Sequence, residues 1–332
     1  MFLGLDIHKR SAQVAVRNDD GNVIEEFRVK NEDLDEVAAE YAGGSAVLEA
    51  TSNYYHIYDM LSEHLDVSVA HPRKIKQIGE TDKKTDQVDA RELSRLLWLG
   101  NVPESYVPTD EIRECRVLVR GRGSLIEERT SFVNKVHSLL TDNGITRSVK
   151  PLYAKGRAFL EELSLPAPWD ALLDAYLDVI TALTSQIERL DELIEARAED
   201  NEQMRLLMTI PGISNYSAMV IYAEIGDISR FHDAKQVVRY VGLNPVIRES
   251  GDSTFEGSIS KKGSGKVRWV LVQAVHSAVH TVGDEYLSQF YDRLNRNKNS
   301  QKATIATARK LLVSIFHMLD RGEEYDPPGV SA

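Results

Sequence analysis

Four carboxylates in this 332-residue chain stand where chemistry needs them. Asp6 lies near the end of an apolar run, Phe2-Leu3-Gly4-Leu5-Asp6-Ile7-His8, and Glu49 near the end of another, Ser45-Ala46-Val47-Leu48-Glu49-Ala50. An acid carried in an apolar strand is costly to bury unless a cation or metal pairs with it. Asp86 and Asp89 are three residues apart, so a helix stacks their carboxylates on one face, where they repel unless a cation sits between them. By themselves Asp86 and Asp89 also fit a solvated helix start, which favours acids in its first turn. Together, four carboxylates around one point suit a hard divalent cation bound through oxygen, Mg²⁺ or else Mn²⁺, with phosphate oxygens completing the shell. Such a centre would assist attack at a phosphodiester.

These acids need a sheet and a helix to bring them together. Residues 2–8, 12–16, 23–29, 45–50 and 67–70 read as strands, with Asp19-Asp20-Gly21-Asn22 as hairpin chemistry between the second and third. Residues 32–41 and 54–64 read as helices. Thr85 is placed to cap a helix whose buried side is marked by Val88, Leu93, Leu96 and Leu97. Hairpin strands followed by alternating helix and strand predict an α/β domain with a mixed sheet over residues 1–110. Arg73, Lys74, Lys76, Lys83 and Lys84 form a basic approach to the Asp86/Asp89 helix.

The rest of the chain has a different rhythm. Leu173, Tyr176, Ile180, Leu183, Ile187, Leu190 and Ile194 step by three and four, and residues 112–140 follow the same pattern with Arg122 and Arg129 interrupting it. Asn143-Gly144, Pro151, Pro166 and Pro168 break the helix between them, so residues 111–203 read as an antiparallel coiled-coil hairpin. Self-association through it and packing within one chain are both open. Residues 204–332 read as a mainly helical domain. Its Ile210-Pro211-Gly212-Ile213 turn suits a helix-hairpin-helix, whose N–H groups near Gly212 can face a phosphate. Ser250 stands before Gly251 in a polar loop, and its spacing alone assigns it nothing. Lys261, Lys262, Lys266 and Arg268 follow, and Arg293, Arg296, Lys298, Lys302, Arg309 and Lys310 make a late basic strip.

Composition sets limits. One cysteine, Cys115, excludes an internal disulfide framework and a cysteine-cluster zinc site. No run approaches the ~18 apolar residues of a membrane span, and a cytoplasmic protein is expected. The net charge of −11 is unevenly spread: residues 158–203 carry twelve acids against two bases, residues 257–310 ten bases against three acids. That division fits a nucleic-acid face with an acidic spacer, and the acidic excess also fits a salt-loving source.

The order Asp6, Glu49, Asp86-x-x-Asp89, with Gly4-Leu5-Asp6-Ile7-His8-Lys9, Glu49-Ala50-Thr51 and Lys84-Thr85-Asp86, resembles the RuvC-like, RNase H-type domain of DEDD transposases of the IS110 type. Gly242-Leu243-Asn244-Pro245, Ser250-Gly251 and Ile259-Ser260-Lys261-Lys262-Gly263 resemble the C-terminal domain of the same family. The resemblance implies Mg²⁺ at the four acids, Ser250 as a nucleophile that joins covalently to DNA, and Ser253 and Ser258 as its near rivals. It also implies a coiled-coil insertion used for assembly, a structured guide RNA, and a homo-oligomer, dimer to tetramer, holding DNA of element and target. A Holliday-junction resolvase using water, a non-catalytic nucleic-acid-binding regulator and an actin-like kinase are the rival assignments. If the basic tail meets phosphates, DNA affinity should fall steeply with salt, and replacing Lys261, Lys262 and Arg268 by Ala should flatten that slope. An unchanged slope in a salt titration would make the tail a solvated surface.

Overall fold

In the computed structural model, Gly4 lies in the middle of the central strand of a five-stranded mixed sheet. The structure describes residues 1–50, 54–72, 74–75, 85–250, 253–297 and 299–327, without the side chains of 247–250 and 253–257. The chain divides into two units, Met1–Val107 and Pro108–Ala332.

The first unit holds β1 (Phe2–Ile7), β2 (Ser11–Arg17), β3 (Val23–Lys30), α1 (Leu34–Glu40), β4 (Ser45–Glu49), α2 (Tyr54–Ser62), β5 (Asp66–Ala70) and α3 (Asp86–Trp98). The sheet order is β3-β2-β1-β4-β5, with β1/β2 and β2/β3 antiparallel and β1/β4 and β4/β5 parallel. This is the mixed α/β sheet that the sequence predicts for this part of the chain. Period-two alternation sends Leu3, Leu5 and Ile7 to one face, in a core with Leu34 and Val37 of α1 and Ile57 and Leu61 of α2. Gly4 and Asp6 therefore face the other side, where α3 crosses.

That crossing is close. A Cβ on Gly4 would overlap the Ala90 carbonyl oxygen and the Ser94 nitrogen of α3. The β2–β3 hairpin secures the helix from the side. Arg17 donates from Nε to Ser94 Oγ (3.0 Å), from Nη1 to Gly21 O (2.7 Å) and from Nη2 to Arg91 O (3.2 Å). The Trp98 indole N–H donates to Asp19 O (3.0 Å), with its ring packed over Gly21, whose φ is +82°.

Among its described residues the second unit is helical apart from one β-hairpin. The long helices α4 (Asp110–Asp142) and α6 (Trp169–Asp200) run antiparallel, as their cross-ties record: Asn201 to Glu111 (2.8 Å), Arg197 to Glu114, Arg122 to Asp191, and Arg129 to Thr184 (3.2 Å). Arg122 and Arg129, which interrupt the apolar rhythm, thus belong to the pairing as side-to-side ties. The second helix stops at Asn201, whose side chain caps α7 (Glu202–Met208) by accepting from Met204 N. Away from that end, Val136, Leu140, Leu160 of α5 (Ala154–Glu161), Leu173 and Leu177 form one core. At the other end, Ile112, Cys115, Val119 and Ile194 join a larger core with α7, α8 (Asn215–Ile225), α9 (Ala234–Val241), α10 (Gly265–Ser277), α11 (Glu285–Asn295) and α12 (Ser300–Arg321). Strands β6 (Pro245–Ser250) and β7 (Ser253–Ile259) form the hairpin. No helix among the described residues is long and apolar enough to cross a membrane.

Gly4→Ala should destabilise the protein by ~3 kcal/mol, the upper range of a forced core insertion, because both clashing atoms are backbone. Gly121→Ala, in α4 with nothing within 4 Å of the new methyl, should instead stabilise by ~0.5–1 kcal/mol. Urea unfolding of the two variants decides; equal and small effects would mean that α3 can shift away from β1.

Candidate active site

Asp6 and Glu49 are brought together by register. Leu5 pairs with Leu48 across the parallel β1/β4 ladder, so Asp6 and Glu49 follow side by side at the C-terminal ends of adjacent strands. The first turn of α3 adds Asp86 and Asp89. Thr85 caps that turn, accepting from Val88 N at 3.4 Å, so the acids of the turn point from a fixed helix end.

The four acids converge electrostatically on Asp6. Burial raises the Asp6 pKa most, nearby His8 lowers it, and Asp89, Asp86 and Glu49 each raise it further. A raised carboxyl pKa is the expected response to burial and, after it, to like charges held close.

His8 is a member of the group that spacing did not single out. Its Nε2 lies 3.0 Å from Asp86 Oδ2 and 3.4 Å from Asp6 Oδ2. That atom is buried and has no partner at hydrogen-bonding geometry, although the ring is 40% exposed. One ligand atom each from Asp6, His8 and Asp86 lies within 4.8 Å of the others. The Asp6-x-His8 spacing was the available signal, since residues two apart in a strand share a face. Arg28 Nη1, 3.9 Å from Asp86, is a further cation at the edge. A half-buried set of carboxylate oxygens with an orphaned imidazole nitrogen fits a divalent ion, which would replace the missing positive charge.

The second candidate element is the β6–β7 hairpin, built on a backbone clasp. Gly242 has φ +81°, and a Cβ there would stand 2.8 Å from Lys262 N. A Cβ on Gly263 would overlap Tyr240 O. Ser260 donates from N to Asn244 O (2.9 Å) and from Oγ to Asn244 Oδ1 (2.8 Å), and Lys261 N donates to Gly242 O (3.1 Å). Arg268 closes the clasp from α10, with Nη1 donating to Val241 O and Gly263 O, both at 2.8 Å. Burial depresses its pKa. Arg268→Ala would therefore loosen the hairpin base as well as remove a charge.

Ser250 and Ser253 form the last pair at the far end of this hairpin, whereas Ser258 is exposed near its base. A polar loop was expected here, and a two-stranded ladder is found; Val246, Ile247 and Phe255 on either side of Gly251-Asp252 supply the strand formers. The Ser250 side chain lies outside the described residues, as do Arg73, Lys83 and Lys84. Lys74, Lys261 and Lys262 are exposed, and Lys266 packs its amine over Gly123 of α4. Gly212, φ +89°, turns the chain between α7 and α8 against α10, where a Cβ would stand 2.8 Å from Ser277 Cβ.

Comparison with known proteins follows the same division. A DEDD profile of the IS110 type, described as "Transposase", matches residues 3–144, and one described as "Transposase IS116/IS110/IS902 family" matches residues 204–292. The transposase for insertion sequence element IS1111A of Coxiella burnetii is 27% identical, over 98% of this chain and 91% of that protein. The pilin gene-inverting protein of Moraxella bovis is 27% identical, over 84% of this chain and 81% of its own length. An uncharacterized protein of insertion element IS110 from Streptomyces coelicolor is 24% identical, over 99% of this chain and 97% of its own.

The raised Asp6 pKa yields a stability prediction. A carboxyl whose folded pKa lies above its unfolded one weakens the fold once both states are ionised, and the penalty fades as pH falls through the folded pKa. In buffer without divalent ions, Asp6→Asn should raise the melting temperature at neutral pH, with the gain shrinking as pH falls toward the carboxylate range. Scanning calorimetry across pH tests this; a lower melting temperature at neutral pH would contradict the repulsion inferred at Asp6.

Proposed function

Because the chain belongs to the IS110/IS116 family of DEDD transposases, we propose that it cuts and rejoins DNA through a serine–DNA intermediate, with a divalent ion held by Asp6, Glu49, Asp86 and Asp89. The observation that carries this reading is the grouping of Asp6, His8 and Asp86, with Asp89 and Glu49 near enough to act on an Asp6 carboxyl whose pKa is raised first by burial. Mg²⁺, with Mn²⁺ as a substitute, would supply Lewis-acid polarisation of the scissile phosphate.

The chain's own residues have distinct tasks. Asp6 and Glu49 hold donor oxygens at the ends of two rigid strands, and Asp86 and Asp89 close over them from a capped helix. His8 places its Nε2 beside both Asp6 and Asp86, close enough to add a nitrogen to the donor set. Ser250 is the nucleophile: its Oγ bonds to phosphorus as the strand's P–O bond breaks, and its proton ends on the departing hydroxyl. The phosphoester retains the bond energy, so a new strand hydroxyl can displace Ser250 and restore the backbone. The clasp at Gly242 and Gly263 supports this assignment, because it anchors the base of the ladder that carries Ser250 at its other end.

The same reading extends to assembly. Residues 111–203 act as a coiled-coil hairpin through which a homo-oligomer, dimer to tetramer, forms, and Ser250 of one subunit serves the acids of another. A helix-hairpin-helix at Gly212, the basic residues Arg73, Lys74, Lys83 and Lys84, and the tail residues Lys261, Lys262, Lys266 and Arg268 carry phosphates of DNA and of a structured guide RNA. The acid-poor, base-rich composition of residues 257–310 supports that role.

Stalled strand exchange should leave DNA covalently attached to the protein at Ser250, located by mass spectrometry of the digested adduct. Ser250→Ala should lose adduct and strand transfer together, and Asp86→Asn should lose cleavage while retaining DNA binding. Free ends produced by Ser250→Ala at the wild-type rate would make water the nucleophile. An adduct on Ser253 or Ser258 would move the role along the same hairpin.

A further inference from the structure

We infer that Trp269, on the outer face of α10, is a stacking platform for an unpaired base of the DNA strand handled by the β6–β7 hairpin, an inference that rests on the recombinase reading above. The first observation is exposure. Trp269 leaves 56% of its surface in water, in the middle of an ordered helix whose core is already filled by Val267, Val270, Leu271, Ala274 and Val275. The fold gains little from an indole there. Among the described residues, no aromatic, cationic or hydrogen-bonding partner occupies the ring.

The second observation is what borders it. One turn toward the helix N-terminus from Trp269 stands Gly265, where an added Cβ would have only Arg268 within 4 Å. The glycine is exposed and has no side chain to cover the ring. Along the same face follow Gln273, His276 and His280, all exposed, with the two imidazoles stacked at 5.8 Å and 26°. The face is aromatic and polar, unlike an apolar groove built for a protein helix. The Pro211-Gly212 turn flanks it, against Ala274 and Ser277.

The third observation is charge. In a chain with 51 acids, no Asp or Glu occurs in the 27 residues from Gly257 to Gly283, while Lys261, Lys262, Lys266 and Arg268 do. A polyanion meets no repulsion from this segment, and the lysines draw its backbone toward α10. Base faces are hidden in a duplex and available in a single strand, and a Trp face accepts any of them. Strand exchange exposes such bases beside the cut. The position also suits the hairpin: Arg268, the residue before Trp269, is bonded to the hairpin base at Val241 and Gly263. A strand whose phosphate reaches the hairpin passes near α10.

The test uses the full-length protein without divalent ions, so that nothing is cleaved. Short oligodeoxythymidylate should quench the tryptophan fluorescence of the wild type, and Trp269→Phe should remove that change although Trp98 and Trp169 remain. By fluorescence anisotropy, Trp269→Ala should raise the Kd for the oligodeoxythymidylate roughly five- to a hundredfold, the range for losing one stacked base, with Trp269→Tyr retaining most of the affinity. The Kd for a blunt duplex should change by less than about twofold, since duplex binding rests on phosphates. Unchanged melting of Trp269→Ala secures the comparison. An unaltered Kd for the single strand, or an equal loss on duplex, overturns the inference. A loss confined to oligouridylate overturns it in favour of an RNA site. Should Ser250→Ala still cleave while Trp269→Ala loses single-strand binding, the serine assignment falls and the platform stands.

Discussion

The close approach of α3 to β1 at Gly4 is the constraint on which the first unit depends. Two backbones touch there with no side chain between them. With any other residue at position 4, the helix would stand off the sheet by at least a methyl group, and its first turn would move with it. Asp86 comes beside Asp6 and His8, and Asp89 close enough to act on the charge of Asp6, because that spacing is missing. Arg17, Trp98 and the turn at Gly21 then hold the helix in the pose that Gly4 permits.

Packing tightly in this way has an electrostatic consequence. The contacts that hold α3 on the sheet also bury Asp6 and bring further carboxylates near it, and both raise its pKa, burial the more. His8 works against that rise, and Arg28 stands 3.9 Å from Asp86 at the edge. Perturbed carboxyls of this kind gather where function asks for a geometry that folding alone would not choose. The apolar face of the same sheet, with Leu3, Leu5, Ile7, Leu48 and Ile57 in one core, provides the opposing stability.

In the second unit the same device recurs with another purpose. Gly242 and Gly263 let two chain segments interlock at the backbone, and Arg268 seals them from α10. A two-stranded hairpin alone is marginal in water; fastening its base to a helical core gives it a fixed root. The helix that seals the root is the one that presents Trp269, so the hairpin and the exposed aromatic face share a single anchor.

Much of this was legible in the chain itself. The alternation around Leu3, Leu5 and Ile7, the acids at residues 6 and 49, the Asp86/Asp89 spacing behind Thr85 and the long three-four rhythm of residues 173–194 are local patterns, and local patterns survive being read one residue after another. The sequence alone thus determined the element types, the division into a sheet and a helical part, and the candidate acids. Tertiary structure decided the rest. That β1 sits between β2 and β4, so that Asp6 meets Glu49, depends on strand pairings nothing local encodes. His8 reaches Asp86 only once α3 lies across the sheet. Arg122 and Arg129 looked like breaks in a pattern until a partner helix supplied Asp191 and Thr184, and Arg268, legible in the sequence only as a basic residue, proves also to tie two backbone carbonyls at 2.8 Å. A side chain's type states what it can bond to; only the packed chain states which of those bonds remain to be made.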